Sequence, residues 1–241
     1  MSRTLLAIET ATDVCGAALL QGGALVAEAH LHRPRIHAAH LAPLLQHLLE
    51  RSSVAPADLD AVAVSMGPGS YTGLRIGVST AKGLARATGA ALIGVPTLEA
   101  LAASLQPYTA PGDAVCACLD ARRDEVYAAA YAFEDGTLAP LAETDALAVT
   151  ALPGWLDAHP ERLWLVGTGA EKAAPAFADA GRAVRVLSPA HHPPSAAWVG
   201  RRAWPRLEAG ATEDIAAFEP YYLKAFAGTK PQQTPLERLS F

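Results

Sequence analysis

The chain has 241 residues, 51% of them hydrophobic and 18% charged, a composition that suits one or two folded domains and excludes a disordered polymer. Its 19 basic and 24 acidic residues give a formal net charge of −5, which argues against a protein that holds nucleic acid unaided through a broad basic face. Three cysteines, an odd number, do not make a disulfide framework and suit a reducing cytosol.

The first apolar run, residues 5–8, ends at Glu9 and reads as a buried strand. It is too short for a signal peptide, and no uncharged stretch reaches the roughly 18 apolar residues of a membrane span. A cytoplasmic location without membrane attachment is therefore expected. Residues 15–21 and 24–30 read as two strands joined by Gly22-Gly23, a hairpin signal. Residues 36–51 place Leu41, Leu44, Leu45, Leu48 and Leu49 on one helical face. A strand at 61–65, a glycine-rich turn at 67–73, a helix at 74–87, a strand at 91–95 and a helix at 97–105 follow. Pro107, Pro111 and Gly112 then mark a boundary, which divides the chain into lobes 1–106 and 107–241.

The second half opens like the first. A strand at 114–119 runs to Asp120, and a strand at 125–133 reaches the turn Asp135-Gly136. A strand at 163–166, a helix at 171–180, a strand at 184–187 and a helix at 196–208 complete it, the last helix being free to return to the first lobe. The tail after Ala227 is expected to fray. Strands alternating with helices, each half opening on antiparallel strands, predict an α/β fold of two lobes with mixed sheets and an internal duplication.

Three features suggest chemistry. Gly67, Gly69, Ser70 and Thr72 lie where a strand turns into a helix, so helix-start amides there suit an anion or a nucleotide; a plain strand-to-helix turn capped by Ser70 is the rival reading. Glu9 and Asp120 each end the first strand of a lobe and suit a water-mediated magnesium ion between lobes, or are two solvated strand ends. Gly167 and Gly169 repeat the strand–turn–helix pattern. Neither the eight histidines nor the cysteines have the spacing of a metal site, so no metal and no resident cofactor are expected.

The segments Leu6-Ala7-Ile8-Glu9-Thr10-Ala11-Thr12, Gly67-Pro68-Gly69-Ser70-Tyr71-Thr72-Gly73-Leu74-Arg75-Ile76-Gly77 and Gly94-Val95 with Leu98 resemble the TsaB family, also called YeaZ. His37, the stretch Asp120–Tyr127 and Glu219-Pro220-Tyr221-Tyr222-Leu223-Lys224 extend the resemblance over residues 4–224. The resemblance implies an actin-like (ASKHA) fold. It also implies a non-catalytic subunit of the bacterial machinery for tRNA N6-threonylcarbamoyladenosine. Such a subunit would scaffold the catalytic paralogue TsaD together with the ATPase TsaE, contact tRNA only within the complex, and form a homodimer when alone. The chain departs from the family pattern at Glu9, usually Asp, at Tyr71, usually Phe, and at Lys224, usually Arg. Where the paralogue carries two metal-binding histidines, this chain has Thr97 and Leu101, which cannot replace imidazole; a metalloprotease is disfavoured for the same reason. The alternative function is an actin-like ATPase or small-molecule kinase that holds Mg-ATP between the lobes.

A partner surface is expected on two helices. Ile36, His40, Pro43 and His47 form a second, uncharged stripe on the leucine-rich helix. Gly73, Gly77, Ala81 and Ala85 form a small-residue stripe on the helix after the glycine turn, which suits close helix approach. The resemblance implies that family members pair through these two helices. The same pattern allows the stripes to pack inside the subunit instead.

Overall fold

The computed structural model describes residues 2–134, 137–156, 160 and 162–224. The expected turn at Asp135-Gly136 and the tail after Ala227 lie outside the described residues.

Strands β1 (Thr4–Glu9), β2 (Val14–Gln21), β3 (Ala24–His32), β4 (Ala61–Gly67) and β5 (Ala91–Pro96) form one sheet in the order β3-β2-β1-β4-β5. Within it β1–β2 and β2–β3 are antiparallel, while β1–β4 and β4–β5 are parallel. Strands β6 (Asp113–Asp120), β7 (Glu125–Glu134), β8 (Thr137–Ala148), β9 (Arg162–Val166) and β10 (Arg185–Leu187) form a second sheet in the order β10-β9-β6-β7-β8. Counted from its own first strand, the second sheet has the order and the strand directions of the first. The chain is therefore a duplicated α/β fold of the actin-like kind. Strand β8 has no counterpart among the sequence expectations. Its residues alternate poorly and include Pro140, and its register on β7 is irregular, as suits a sheet edge.

Both faces of β1 are covered, which is why it reads as an unbroken apolar run. Leu6 and Ile8 face α1 (His37–Arg51) and α2 (Tyr71–Thr88), whereas Leu5 and Ala7 face the last helix. Between them in sequence lie α3 (Thr97–Ala103), α4 (Leu152–Trp155) and α5 (Ala170–Asp179), followed by α6 (Ala196–Glu208). Helices α4 and α5 cover one face of the second sheet, packing Leu152 and Phe177 on Cys116 and Cys118. Helix α3 covers the other face, packing Leu98 and Leu101, with Leu105 just beyond its end, against Val115, Ala117 and Leu119. Helix α6, although it follows the second sheet in sequence, packs on the first. Arg202 and Arg206 of α6 clamp Glu99 of α3, each at 2.8 Å.

Candidate functional site

The glycine turn ends β4 and starts α2. Gly67 has φ 123°, a conformation open to glycine alone among common residues. Ser70 caps α2 by accepting from the Gly73 amide at 3.3 Å. Two further amides of the turn already have partners: Gly67 N–H donates to Thr97 Oγ1 at 3.2 Å, and Ser70 N–H donates to the Ala11 carbonyl at 2.7 Å. The Tyr221 amide donates to the Met66 carbonyl at 2.7 Å, and the Tyr221 carbonyl oxygen lies directly against Gly67. Gly69 is pressed on Ala11 in the same way. Thr72 is exposed on the first turn of α2.

The two carboxylates that end β1 and β6 occupy opposite environments. Glu9 is 1% exposed. Its Oε1 accepts from the Ala11 amide at 2.7 Å, and the Ser65 hydroxyl donates to Oε2. Burial lifts its pKa to about 7, against the smaller downward pull of those two hydrogen bonds. The expectation of a solvated strand end is thus corrected at Glu9, because β4 and the turn after β1 close over it. Asp120 is exposed, and its Oδ1 accepts from Lys172 Nζ at 2.9 Å and from the Arg122 amide at 3.0 Å. The second glycine turn is also closed from within. Gly169 N–H donates to the Cys118 carbonyl at 3.0 Å, Asp120 N–H donates to Thr168 Oγ1 at 3.1 Å, and Gly167 is pressed against Leu101 and the Cys118 carbonyl. Among the described residues no three His, Cys, Asp or Glu side chains are placed to share a metal ion.

At the positions that correspond to the paralogue's histidines, Thr97 is 1% exposed with its hydroxyl bonded to Gly67, and Leu101 is 4% exposed in the apolar layer between α3 and β6. A committed hydroxyl and an alkyl chain do not fit a metal.

The two partner stripes separate. On α1, His40, Pro43 and His47 are exposed and Ile36, its N-cap residue, is half-buried, so that stripe faces outward. On α2, Gly73, Gly77, Ala81 and Ala85 are all buried within the chain. Gly73 lies on the Thr10 carbonyl and Gly77 on the Thr10 side chain, while Ala81 and Ala85 enter the core beneath α1. The small-residue stripe is thus the seam by which α2 seats on its own sheet, and it is not available to a partner. The outward face of α2 carries Ser79 and Gly83, exposed, with Ile76, Thr80 and Leu84 half-buried.

The segment that closes the site, residues 218–224, overlaps the Glu219–Lys224 stretch of the resemblance but has no periodic signal of its own. Phe218 is buried against Gly94 and Met66, and Lys82 Nζ donates to its carbonyl at 2.7 Å. Tyr222 packs on Tyr71 with ring centroids 4.8 Å apart, and Lys224 reaches Glu125 of the second sheet at 2.6 Å. These residues lie outside any helix or strand, where periodicity is silent.

A family model described as TsaD, tRNA N6-adenosine threonylcarbamoyltransferase, matches residues 30–223. Among solved structures, YeaZ from Pseudomonas aeruginosa superimposes with a TM-score of 0.76 and 28% identity, covering 92% of this chain and 100% of that one. The chain belongs to the TsaB/YeaZ family. As a family member it is 37% identical over 135 residues to the tRNA threonylcarbamoyladenosine biosynthesis protein TsaB of Bacillus subtilis, covering 56% of this chain and 58% of that protein. It is 38% identical over 143 residues to TsaB of Escherichia coli K12, covering 59% and 61%. The matches thus span about three fifths of those two relatives. Component A of (R)-2-hydroxyglutaryl-CoA dehydratase from Acidaminococcus fermentans, at TM-score 0.54, 11% identity and coverage of 86% and 100%, shares the fold alone. No helix among the described residues is long and apolar enough to cross a membrane.

Proposed function

We propose that this chain is a non-catalytic subunit of the cytoplasmic machinery that makes N6-threonylcarbamoyladenosine in tRNA. It pairs with the transferase paralogue TsaD, and TsaE joins the pair. The observation that carries the reading is that the glycine turn's Gly67, Ser70 and Gly73 amides are bonded within the chain. Amides that would cradle a phosphate are bonded to Thr97 and Ala11, and the carboxylate beneath them is buried with both oxygens occupied. Buried groups with complete hydrogen bonding are costly to redirect toward a ligand.

The pairing surface is the outward stripe of α1, Ile36, His40, Pro43 and His47, joined by the outward face of α2 around Ile76, Thr80 and Gly83. Two neighbouring helices with half-buried apolar residues between them suit two helices of a partner in a four-helix arrangement. The placement departs from the small-residue stripe that the sequence suggested, and it selects different variants. Gly83→Arg and His47→Glu should leave the circular dichroism spectrum unchanged and lower affinity for TsaD by roughly 100-fold or more. Pairing of both variants at wild-type affinity in size-exclusion chromatography would overturn this assignment. Phosphate release from Mg-ATP by the chain alone, at about 1 per second or faster, would replace the scaffold with an actin-like ATPase.

A further inference from the structure

The chain is acidic overall, yet one surface segment is not. His30-Leu31-His32-Arg33-Pro34-Arg35 closes β3 and leads into α1 without an acidic residue, and all six side chains are exposed. His30 and His32 stack edge-to-face with centroids 4.6 Å apart. Arg35 adopts φ 62°, an uncommon conformation for a side chain of its size. Helix α6 starts beside this segment. Its Ser195 hydroxyl donates to Glu28 Oε1 at 2.6 Å, and the Ala197 amide donates to the same oxygen at 3.2 Å. The carboxylate nearest the segment on β3 is therefore already engaged. One turn on, Arg201 lies over the Trp198 ring at 4.5 Å and is exposed, whereas Arg202 is tied to Glu99. None of Arg33, Arg35 and Arg201 forms an ion pair among the described residues. Asp13, an exposed acid, is next to Val14, the β2 partner of His32. The chain's other adjacent arginines, Arg122 and Arg123, are interleaved with Asp120, Asp124 and Glu125, which cancel their field.

We propose that residues 30–35, with Arg201 and the Trp198 ring, dock the phosphate backbone of tRNA. The proposal rests on the reading above and names the RNA contact of that subunit. Unpaired guanidinium groups recognise phosphates with little desolvation of competing partners. The His30 and His32 imidazoles, and the indole over which Arg201 lies, suit unstacked bases and sugars. The patch runs directly into Ile36 and His40 of the pairing stripe, so an RNA lying on it would continue across the seam onto the partner. A chain of net charge −5 then contributes a rim to a shared binding surface without holding RNA tightly alone.

The test is fluorescence anisotropy with an unmodified, end-labelled tRNA transcript. It compares the TsaD complex of the wild-type chain with that of an Arg33→Ala, Arg35→Ala, Arg201→Ala triple variant. The triple variant should pair with TsaD normally and melt close to the wild-type temperature, since the three side chains are exposed and make no ion pair among the described residues. Its tRNA affinity should fall about tenfold or more, and the slope of log K against log salt should shrink by roughly 2. Unchanged tRNA affinity with pairing intact would overturn the proposal and leave the scaffold reading standing. Loss of pairing with TsaD in place of RNA affinity would show a protein contact and would also overturn it. If the wild-type chain fails to pair with TsaD, the scaffold reading fails separately. The comparison is then made with the chain alone at 50 mM salt, where equal RNA binding by wild type and variant would refute the proposal.

Discussion

A carboxylate in the core leaves a thermodynamic signature. Glu9 lies under β4 with a pKa raised from 4.5 to about 7, chiefly by burial. Between those values the folded chain keeps a proton that the unfolded chain has released. Stability therefore falls as pH rises through that window and is level above it. Glu9→Gln keeps the volume, the acceptor for the Ala11 amide and a donor for the Ser65 hydroxyl, while it removes the charge. The variant should be more stable than wild type at pH 8 by about 1–3 kcal/mol, with the difference closing by pH 5. Scanning calorimetry at both pH values is the measurement, and identical pH slopes would contradict the buried-charge account. Glu9 was legible as the end of a strand because an apolar run stops there. Its burial was not, because the cover comes from Ser65 and from the turn that ends at Ala11, and neither is encoded at Glu9.

Helix α2 is read twice, once by its own chain and once by solvent. Its inner seam of Gly73 and Gly77 exists because Thr10 stands where a Cβ would go. Gly73→Ala would drive a methyl into the Thr10 carbonyl and should cost about 2–4 kcal/mol, the upper range of overpacking. Gly83 faces outward, and a Cβ added there would meet nothing within 4 Å, so Gly83→Ala should stabilise by about 1 kcal/mol through helix propensity. Urea denaturation of the two variants gives opposite signs if the seam is as described; equal shifts would refute it. The burial of Gly77 and Ala81 also predicts that Gly77→Glu or Ala81→Arg prevents folding, whereas selective loss of pairing would need those residues on the surface. The four-residue spacing of small residues was visible in the sequence. Spacing locates a stripe but does not say whether the sheet or a partner lies against it.

At the scale of the whole molecule, residues 218–224 tie the two sheets together. Phe218 fills the space over Gly94, Tyr221 bonds to Met66 at the end of β4, and Lys224 reaches Glu125 on β7. Phe218→Ala should cost about 3–5 kcal/mol by leaving a cavity, while Lys224→Ala should cost under about 1 kcal/mol because its ion pair is exposed to water. Thermal melts of both variants test this ranking, and a larger loss at Lys224 would reverse the account.

The strands of both sheets other than β8, the long helices and the duplicated lobe plan follow from the local pattern of apolar residues and glycines. These signals act within a few residues of one another and survive in a single sequence. Strand β8 escaped because an edge strand buries little and needs no strict alternation. The motif around Gly67–Gly77 carried the family resemblance, since a tight strand-to-helix turn constrains residue identity locally. Whether that turn is open or filled was decided only by tertiary structure, through Ala11, Thr97 and Tyr221, which are distant in sequence and supply the hydrogen bonds. The same holds for which side of α2 faces the core and for which arginines form no ion pair among the described residues. Burial and pairing depend on what the rest of the chain brings to a residue, and a linear pattern does not contain that information.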